Sequence, residues 1–499
     1  MAKVRILDGP KISDNDSPDT MLTKLRQKLS TRETQAAKWD DLYNGEEQLM
    51  FTTPEFEEQT GGIFEDFSDN WCRTVPDTVR ERLKVTAFQN SEGKQDKKAM
   101  DAWRRNGADV EVGLALLDAL VTSRSHALVW NPTGQASDIT FVPTGEAIVD
   151  YAPGARGVRR AGLRVWSDGD HEFATLFVRA TGGQPAMVYR RQRKGDGDGG
   201  MWEPRTIGLR PSERVDFPNP MGDAGAVPLV ELANRSRLGG PPESDIKQVA
   251  PLQRAVNTLW AHMLTGADYM AMPQRAILGM DKPMKDIRDA EGNIVDEEEI
   301  PLLKFGRDRL LWLSKQGASI GQFTAADLGN YLRVIEAAVR HIAAQTRTPP
   351  HYLLGEMSNI AAEALTAAES GLVAKAKDKQ LYFGADIREI VRLEALASGE
   401  PDRADSLAMG KVLWRDAQYR SEAQYADALT KYKAIGVPDE ALWRMIPDIE
   451  PETIDEWIRL RDAQAAAAAQ AAASAFSSFG PKDDAADPED PSSTEDPAA

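Results

Sequence analysis

Seven carboxylates crowd the stretch "DIRDAEGNIVDEEEIP": Asp286, Asp289, Glu291, Asp296, Glu297, Glu298 and Glu299. Carboxylate oxygens at this density are ligands for hard divalent cations, and a metal held there would suit a nuclease. The spacing departs from the Asp-x-Asp-x-Asp-Gly loop with its closing Glu. The stretch therefore reads first as an acidic loop, with a metal-dependent nuclease using 286–299 as the alternative. The five histidines, His126, His171, His262, His341 and His351, never stand four apart, and none pairs with Cys72, so no zinc set exists. His341 and His351 read as solvated or packed side chains. "RKGDGDGGMWEP" is rich in glycine but lacks the Lys-Ser/Thr of a phosphate loop and leads into no helix, so it reads as a hairpin tip. No nucleophile elbow, Walker sequence or dinucleotide fingerprint occurs, and no cofactor is implied. A chain this long with no recognisable catalytic set is architectural in character rather than enzymatic.

A second stretch asks for a different chemistry. "QTRTPPHYLLGEMSNIAAEALTAAESG" joins two helical patterns through a double proline, a glycine and several apolar side chains. A solvated connector would be polar. Leu353 and Leu354 either pack the loop against a neighbour or form part of a surface that meets something.

Composition narrows the choices. The chain has 499 residues, 41% of them hydrophobic and 28% charged, which suffices for several domains with buried cores. Net charge is −18. The last segment, "PKDDAADPEDPSSTEDPAA", holds seven acidic residues and one lysine, which leaves the rest strongly acidic as well. A broad grip on nucleic-acid phosphates would need a basic surface. With Cys72 as the one cysteine, no internal disulfide is possible, and it reads as a small buried hydrophobe in a reducing cytosol. No window approaches a membrane span or a signal peptide, so a soluble intracellular chain is expected.

The elements that would position these stretches follow in order. Residues 1–20 read as a flexible arm. "LTKLRQKLSTRETQAAKWDDLYNG" reads as a helix pair ending at Gly45, and Val75, Val79 and Leu83 stand at helical spacing. "DVEVGLALLDALVTSRS" reads as a buried helix. "HALVWN", "DITFVPT" and "EAIVDYA" are strand-like, and a meander follows with turns at Asp168-Gly169 and Gly182-Gly183. Ser244 is placed to cap a long helix over about 245–268, with Asp245 favouring its positive end. Ile246, Val249, Leu252, Val256, Leu259 and Met263 form its stripe; Pro251 means a kink, or a start near residue 250. "QRAILGMD" and "RDRLLWLSK" read as strands. Thr324 and Asp327 have capping-box spacing before a second long helix, striped by Leu328, Leu332, Ile335, Val339 and Ile342. Pro349 and Pro350 stop that helix and push Thr348 into an extended conformation. A third long helix follows over about 359–397, with Gly371 and Gly384 as bend points. The C-terminal part reads as three helical pieces broken at Gly436-Val-Pro438 and Pro447, then an acidic tail too poor in apolar residues to order itself.

This order of elements resembles the portal proteins of tailed bacteriophages, of the siphophage type. "WDDLYNGEEQL" resembles the family's early Tyr-x-Gly segment. "VPLVELANRSRLGGPPESDIKQVAPLQRAVNTL" resembles its strand that leads through Ser-Asp into the first stem helix. "HIAAQTRTPPHYLLGEMSNIAAEAL" resembles its helix, Pro-containing loop and following helix. The likeness spans about 35–465, although Ser358-Asn-Ile-Ala361 stands where the family often has Ser-Gly-Val-Ala, and the β region is short.

The resemblance implies an α+β, mainly helical fold assembled as a homo-oligomeric ring, usually of twelve subunits, at one capsid vertex of the virion. It implies 1–20 as arm, 21–242 as wing, 243–270 and 324–347 as stem helices around a clip at 271–323, and 348–360 as tunnel loop. It further implies 361–419 as long kinked helix and wing return, 420–478 as crown and 479–499 as disordered tail. Double-stranded DNA would pass through the centre, past Leu353, Leu354, Gly355, Glu356, Met357, Ser358, Asn359 and Ile360. The apolar members offer no phosphate anchor and Glu356 repels one, as suits a loop that must let DNA slide. The implied partners are the terminase large subunit, a head–tail adaptor and the major capsid and scaffold proteins, met in the host cytoplasm during assembly. No membrane is implied. Another head-completion structural protein is a further alternative.

Overall fold

The computed structural model describes residues 10–46, 69–131, 136–155, 157–181, 184–195, 200–209, 213–221, 227–234, 240–271, 275–278, 284–288, 294–299, 310–313, 327–355, 362–418, 422–446, 449 and 451–478. The architecture is α+β and mainly helical. It divides into two units, Met1–Gln418 and Tyr419–Ala499.

In the first unit, α1 spans Pro18–Asn44, capped by Ser17 and closed by Gly45 at φ 78°. It is one helix, not the expected pair. No Gly or Pro interrupts residues 21–44, and the hydroxyls of Thr23, Thr31 and Thr34 bond carbonyls four residues back instead of breaking the helix. The arm also departs from expectation. Ile12 is buried with Met21, Leu22, Leu25 and Leu29, and Lys24 pairs with Asp16 at 2.8 Å, so residues 10–17 are held down.

Then come α2 (Trp71–Arg80), β1 (Val85–Gln89), α3 (Lys97–Arg105), α4 (Ala108–Thr122), β2 (Arg124–Trp130), β3 (Asp138–Val142) and β4 (Ala147–Tyr151). They are followed by β5 (Arg159–Asp168), β6 (His171–Val178), β7 (Met187–Lys194), β8 (Glu203–Pro204), β9 (Asp216–Pro218) and β10 (Leu229–Ala233). The strands build two antiparallel sheets, β10-β2-β3 and β4-β5-β6-β7-β8, with β9 beside β7. The expected meander is β5-β6-β7. Helix α1 covers its inner face: Leu22, Leu25 and Leu29 meet Leu163, Val165, Ala174 and Leu176. Where the sheets meet, a Cβ on Gly162 would lie 2.8 Å from Val227, so only glycine allows that approach.

After a 3-10 turn at Asp245–Gln248, α5 spans Ala250–Ala271. Pro251 thus sits at its second position, where the missing N–H costs nothing. Strands β11 (Arg275–Leu278) and β14 (Leu310–Leu313) pair in parallel. The acidic stretch is not simply a loop: β12 (Met284–Arg288) and β13 (Ile294–Glu299) pair antiparallel, with Asp286 opposite Glu297. Helix α6 spans Leu328–Thr346 and begins later than expected. Asp327 is itself the cap, accepting from Gly329 N at 2.9 Å. Gly266 near the end of α5 lies against Leu328 at the start of α6, so the two helices are antiparallel.

Helix α7 (Pro350–Leu354) is short and α8 (Ala362–Ala397) long. Helix α8 runs unbroken through Gly371 and Gly384. Gly384 serves packing, since a Cβ there would be 3.3 Å from the Trp414 indole nitrogen, whereas one on Gly371 would meet Arg347 Cβ at an ordinary 3.6 Å. Helices α4 and α8 share one face of β10-β2-β3, and their core holds Leu116, Leu120, Ala127, Val129, Val230, Phe383 and Ile387. Helix α9 (Pro401–Ala408) then leads to β15 (Lys411–Trp414), which pairs antiparallel with β1.

In the second unit, α10 (Glu422–Ala434), α11 (Asp439–Trp443) and α12 (Pro451–Ser478) are the three helical pieces expected. Trp443 meets Trp457 edge-on at 5.8 Å, and Arg461 pairs with Glu440. The acidic tail from residue 479 lies outside the described residues. No described helix is long and apolar enough to cross a membrane.

The turn before β15 gives a test of the fold. A Cβ on Gly410 would stand 2.0 Å from the Gln89 carbonyl oxygen, so any side chain there forces β1 and β15 apart. Gly410→Ala is expected to lower stability by more than about 2 kcal/mol in thermal or denaturant unfolding. Gly399→Ala, at φ 76° with open space around it, should lose about 1 kcal/mol from backbone strain alone. Equal losses would show that the strand pair does not need the close approach.

Candidate functional site

The stretch singled out by its apolar connector is built on the end of α6. Thr346 donates to the Ile342 carbonyl at 2.8 Å, and Thr348, buried, returns its N–H to Ala343 at 3.1 Å. Arg347 stands between them in the left-handed region, φ 57°, exposed. Pro349 and Pro350 end α6 as expected, but they also start the single turn of α7, because a proline at the first helical position is pre-set for helix. Gly355, at φ 67°, closes that turn with its N–H on the His351 carbonyl.

The structure therefore divides the eight residues expected to form the loop. Leu353 is 4% exposed and packs among Leu42, Val75, Ile246, Val339 and Ile342. Leu354 is partly buried against the same cluster, and Gly355 is exposed. Glu356, Met357, Ser358, Asn359 and Ile360 lie outside the described residues. Cys72 is buried in this cluster too. In the helix before it, Ile335, Val339 and Ile342 are buried, but Leu332 is 45% exposed and Val334 52%.

Polar side chains hold this base. Tyr352 Oη receives a bond from Arg82 Nη2 at 3.3 Å and lies 3.4 Å from Glu369 on α8. Arg82 also reaches Glu369 at 3.5 Å and donates to the Ala417 carbonyl. Burial first, and then the Glu369 charge, raise the Tyr352 pKa. His351 is packed, 4.0 Å from Glu369, whereas His341 is exposed. Along α5, Gln253 accepts from Trp71 N at 2.8 Å and Trp260 donates to Asp69 at 3.2 Å, which ties α5 to the start of α2.

The strongest constraint is Asp245. Expected to act on a helix dipole, it is buried, 2.7 Å from Lys379 Nζ and 2.9 Å from Lys375 Nζ, both on α8. Asn234 at the end of β10 donates to it at 3.0 Å. Burial alone would raise its pKa; the two lysines outweigh that and hold it below the usual carboxylate range. One signal was available in the sequence. Lys375 and Lys379 stand four apart on a helix, where like charges repel unless an acid lies between them. Further along α8, Asp386 accepts from Ala233 N at 3.3 Å, and burial pushes its pKa up to about 8.

The seven carboxylates of the acidic stretch do not come together as a described ligand set. Asp286 bonds Arg288 at 3.0 Å, Asp289 and Glu291 lie outside the described residues, and Asp296, Glu297, Glu298 and Glu299 follow one another along β13. What the described geometry offers is mechanical rather than chemical: an antiparallel helix pair, a short loop rooted at its base, and a long helix leaving it.

Two substitutions test the supports. Lys379→Met leaves Asp245 buried with one cation fewer, and should cost about 3 kcal/mol in denaturant unfolding at neutral pH. A loss below about 1 kcal/mol would mean Lys375 alone suffices. An acid whose pKa rises on folding binds its proton more tightly in the folded state, so Asp386 lowers stability as pH climbs from about 4 to about 8. Asp386→Asn, which mimics the neutral form, should gain on the wild type between about pH 5 and 8. A constant difference in thermal midpoint across that range would contradict it.

Comparison with known proteins gives a consistent result. Residues 23–470 match the family described as "Phage portal protein, SPP1 Gp6-like". The portal protein of Mycobacterium phage D29 is 30% identical over 377 residues, covering 72% of this chain and 71% of the relative. That of Mycobacterium phage L5 is 29% identical over 380 residues, with the same coverage. Among solved structures, the chain is similar to one from the neck of an empty gene transfer agent particle, with a TM-score of 0.39 at 14% identity, covering 78% of this chain and 92% of that one. A chain of a native gene transfer agent virion gives 0.36 at 13%, covering 84% and 99%.

Proposed function

The chain belongs to the SPP1 Gp6-like phage portal protein family, and from that premise we propose that copies of it form the ring at one capsid vertex through which double-stranded DNA is packaged and later ejected. In this reading α5 and α6 are the stem, the strands β11–β14 between them the clip, and residues 348–360 the tunnel loop. The helices from α10 onward are the crown. Twelve copies would surround the channel. The terminase large subunit and then a head–tail adaptor would dock on the ring, and the major capsid and scaffold proteins would meet it in the host cytoplasm before it becomes part of the virion.

One observation carries the reading. Helix α6 keeps apolar residues beyond its own core: Ile335, Val339 and Ile342 are buried within the chain, while Leu332 and Val334 stay open. A helix that is apolar beyond its own core calls for another surface, and further copies of the chain supply it. The burial of Leu353 refines the loop: it anchors the base, and contact with DNA falls to the residues beyond Gly355.

The family is a structural one, and we read this chain as non-enzymatic. A nuclease assay of the purified protein with magnesium or manganese tests that directly; cleavage lost on Asp286→Asn would favour the acidic hairpin instead.

The channel reading predicts two opposite phenotypes. Glu356→Lys and Met357→Lys should leave ring yield and thermal stability nearly unchanged, within about 0.5 kcal/mol. Both should reduce packaged DNA, because a circle of added cations holds phosphates. Leu332→Asp should leave the single chain folded, since the side chain is already 45% exposed, but lower ring yield by placing a charge in an apolar contact. Packaged DNA per particle and ring yield by native mass spectrometry decide. Normal packaging with either lysine removes the loop from the mechanism. Normal rings with Leu332→Asp remove this helix face from the subunit contact.

A further inference from the structure

The outer face of the β5-β6-β7 sheet carries an arrangement that the channel does not use. Cross-strand register sets Arg164, Thr175 and Arg190 in one row, and Trp166, Phe173 and Gln192 in the next. Trp166 and Phe173 stack with ring centroids 5.8 Å apart. Gln192 accepts from the backbone N–H groups of Thr206 and Ile207, and so fixes the turn segment that follows β8. That segment brings in Arg205, whose guanidinium lies 4.7 Å from the Phe173 ring centre and 5.3 Å from that of Trp166. Arg164 lies 5.5 Å from the same Trp166 ring, and Arg190 lies 5.0 Å from Phe217.

Three guanidinium groups are thus interleaved with three aromatic rings on a rigid sheet. Arg164 and Arg190 lie two strands apart, a separation of about 10 Å. Among the described residues their acid neighbours are few: Glu213, 3.9 Å from Arg190 and also acting on Arg205, and Glu146, which acts on Arg164. Arg190 also bonds the Arg214 carbonyl. Arg205 donates to the Ile207 carbonyl at 2.9 Å, and the buried Arg164 Nε has no bond partner among the described residues. Burial and the neighbouring Arg190 charge lower the Arg205 pKa. Like charges gathered and half-desolvated over aromatic rings are stabilised by an anion placed among them. The contrast with the rest of the sheet is sharp. Arg160, Arg191 and Arg193 are each spent on carboxylates: Asp150, the pair Asp19 and Asp216, and Glu172.

We propose that this row is a docking surface for an acidic peptide segment of a partner protein. Carboxylates of the segment would meet Arg164, Arg205 and Arg190, and its apolar side would lie on Trp166. Charge complementarity selects an anion, and recession selects the kind of anion. The Arg190 side chain is only 15% exposed, and Arg164, Arg205 and Trp166 are half-buried. A stiff duplex needs cations that stand clear of the surface, whereas an Asp or Glu side chain can reach in and take a guanidinium fork. The proposal stands apart from the channel reading and does not depend on it.

The test is fluorescence anisotropy with the full-length protein and a labelled peptide of about ten glutamates, beside a labelled duplex of about 20 base pairs, at about 0.1 M salt. The wild type should bind the peptide more tightly than the duplex. The pair Arg164→Gln and Arg205→Gln should weaken peptide binding at least about tenfold, as expected for losing charge-assisted bonds. Arg179→Gln, which removes an exposed cation of the same sheet outside the row, should change it by less than about twofold. Arg164→Lys with Arg205→Lys should fall between, since charge is kept and the fork lost; this pair carries the test if the glutamine pair fails to fold by circular dichroism. Absence of peptide binding up to about 1 mM, or an equal loss with Arg179→Gln, overturns the proposal. Tighter binding of the duplex that is lost in the same variants also overturns it, in favour of a nucleic-acid contact.

Discussion

One buried carboxylate sets the arrangement of the first unit. Asp245 closes the sheet strand β10 through Asn234, opens the helix α5, and grips α8 through Lys375 and Lys379. The end of a strand, the start of the next helix and a helix more than a hundred residues later meet at a single charge. Burying an ion costs several kcal/mol, which its partners offset only when geometry is good, so such a cluster contributes more to uniqueness of arrangement than to net stability. An apolar residue of similar size at 245 would pack in several ways. A carboxylate facing two ammonium groups has one low-energy placement, and the direction in which α5 leaves the sheet follows from it.

That constraint also marks where the sequence could and could not be read. Periodicity and caps located Ile246, Val249, Val256, Ile335, Val339 and Ile342, because apolar stripes at helical spacing are local signals. The β5-β6-β7 meander was legible for the same reason. The pairing of residue 245 with 375 and 379 was not, since each looks solvated beside its own neighbours. Polar side chains reveal their partners only in three dimensions. The acidic hairpin was misread as a loop because five acids hide the alternation that Ile287 and Ile294 retain. The double proline was read as an end, yet the same residues start α7. For the loop itself, sequence left Leu353 between packing and contact, and burial at 4% decides for packing.

Charge is partitioned in a way the net value conceals. Helix α1 is tied to its sheet by the ion pairs Arg26–Glu172 and Lys28–Asp150, above an apolar layer of leucines, and to β10 of the neighbouring sheet by Arg32–Glu231. Burial would raise the Glu231 pKa, but Arg124 and Arg32 outweigh it and keep the group ionised. His126, beside it, is fully buried without a partner on either ring nitrogen, and burial drives its pKa down to about 3, so it is neutral and works as a packing residue. Most cations of this region are therefore already used. Arg164, Arg190 and Arg205, with fewer acid contacts, gather on the opposite face of the β5-β6-β7 sheet.

The loop base joins these strands of argument. Leu353 is fixed in the apolar cluster between α6 and the start of α5, and Tyr352 is fixed to Glu369 and Arg82. A contact made beyond Gly355 is therefore rooted in two places within a few residues. One root leads into the helix pair, and the other leads along α8 to Lys375 and Lys379. In the proposed channel, force applied to the loop would reach Asp245 by both routes, through packed side chains and along α8. Packed cores respond to such load by switching between discrete arrangements rather than by bending smoothly. The buried ion cluster resists that switching because separating Asp245 from either lysine would strand a charge in the core. In the proposed channel, a loop rooted in this way would have apolar packing at its root and a charge-locked joint behind it.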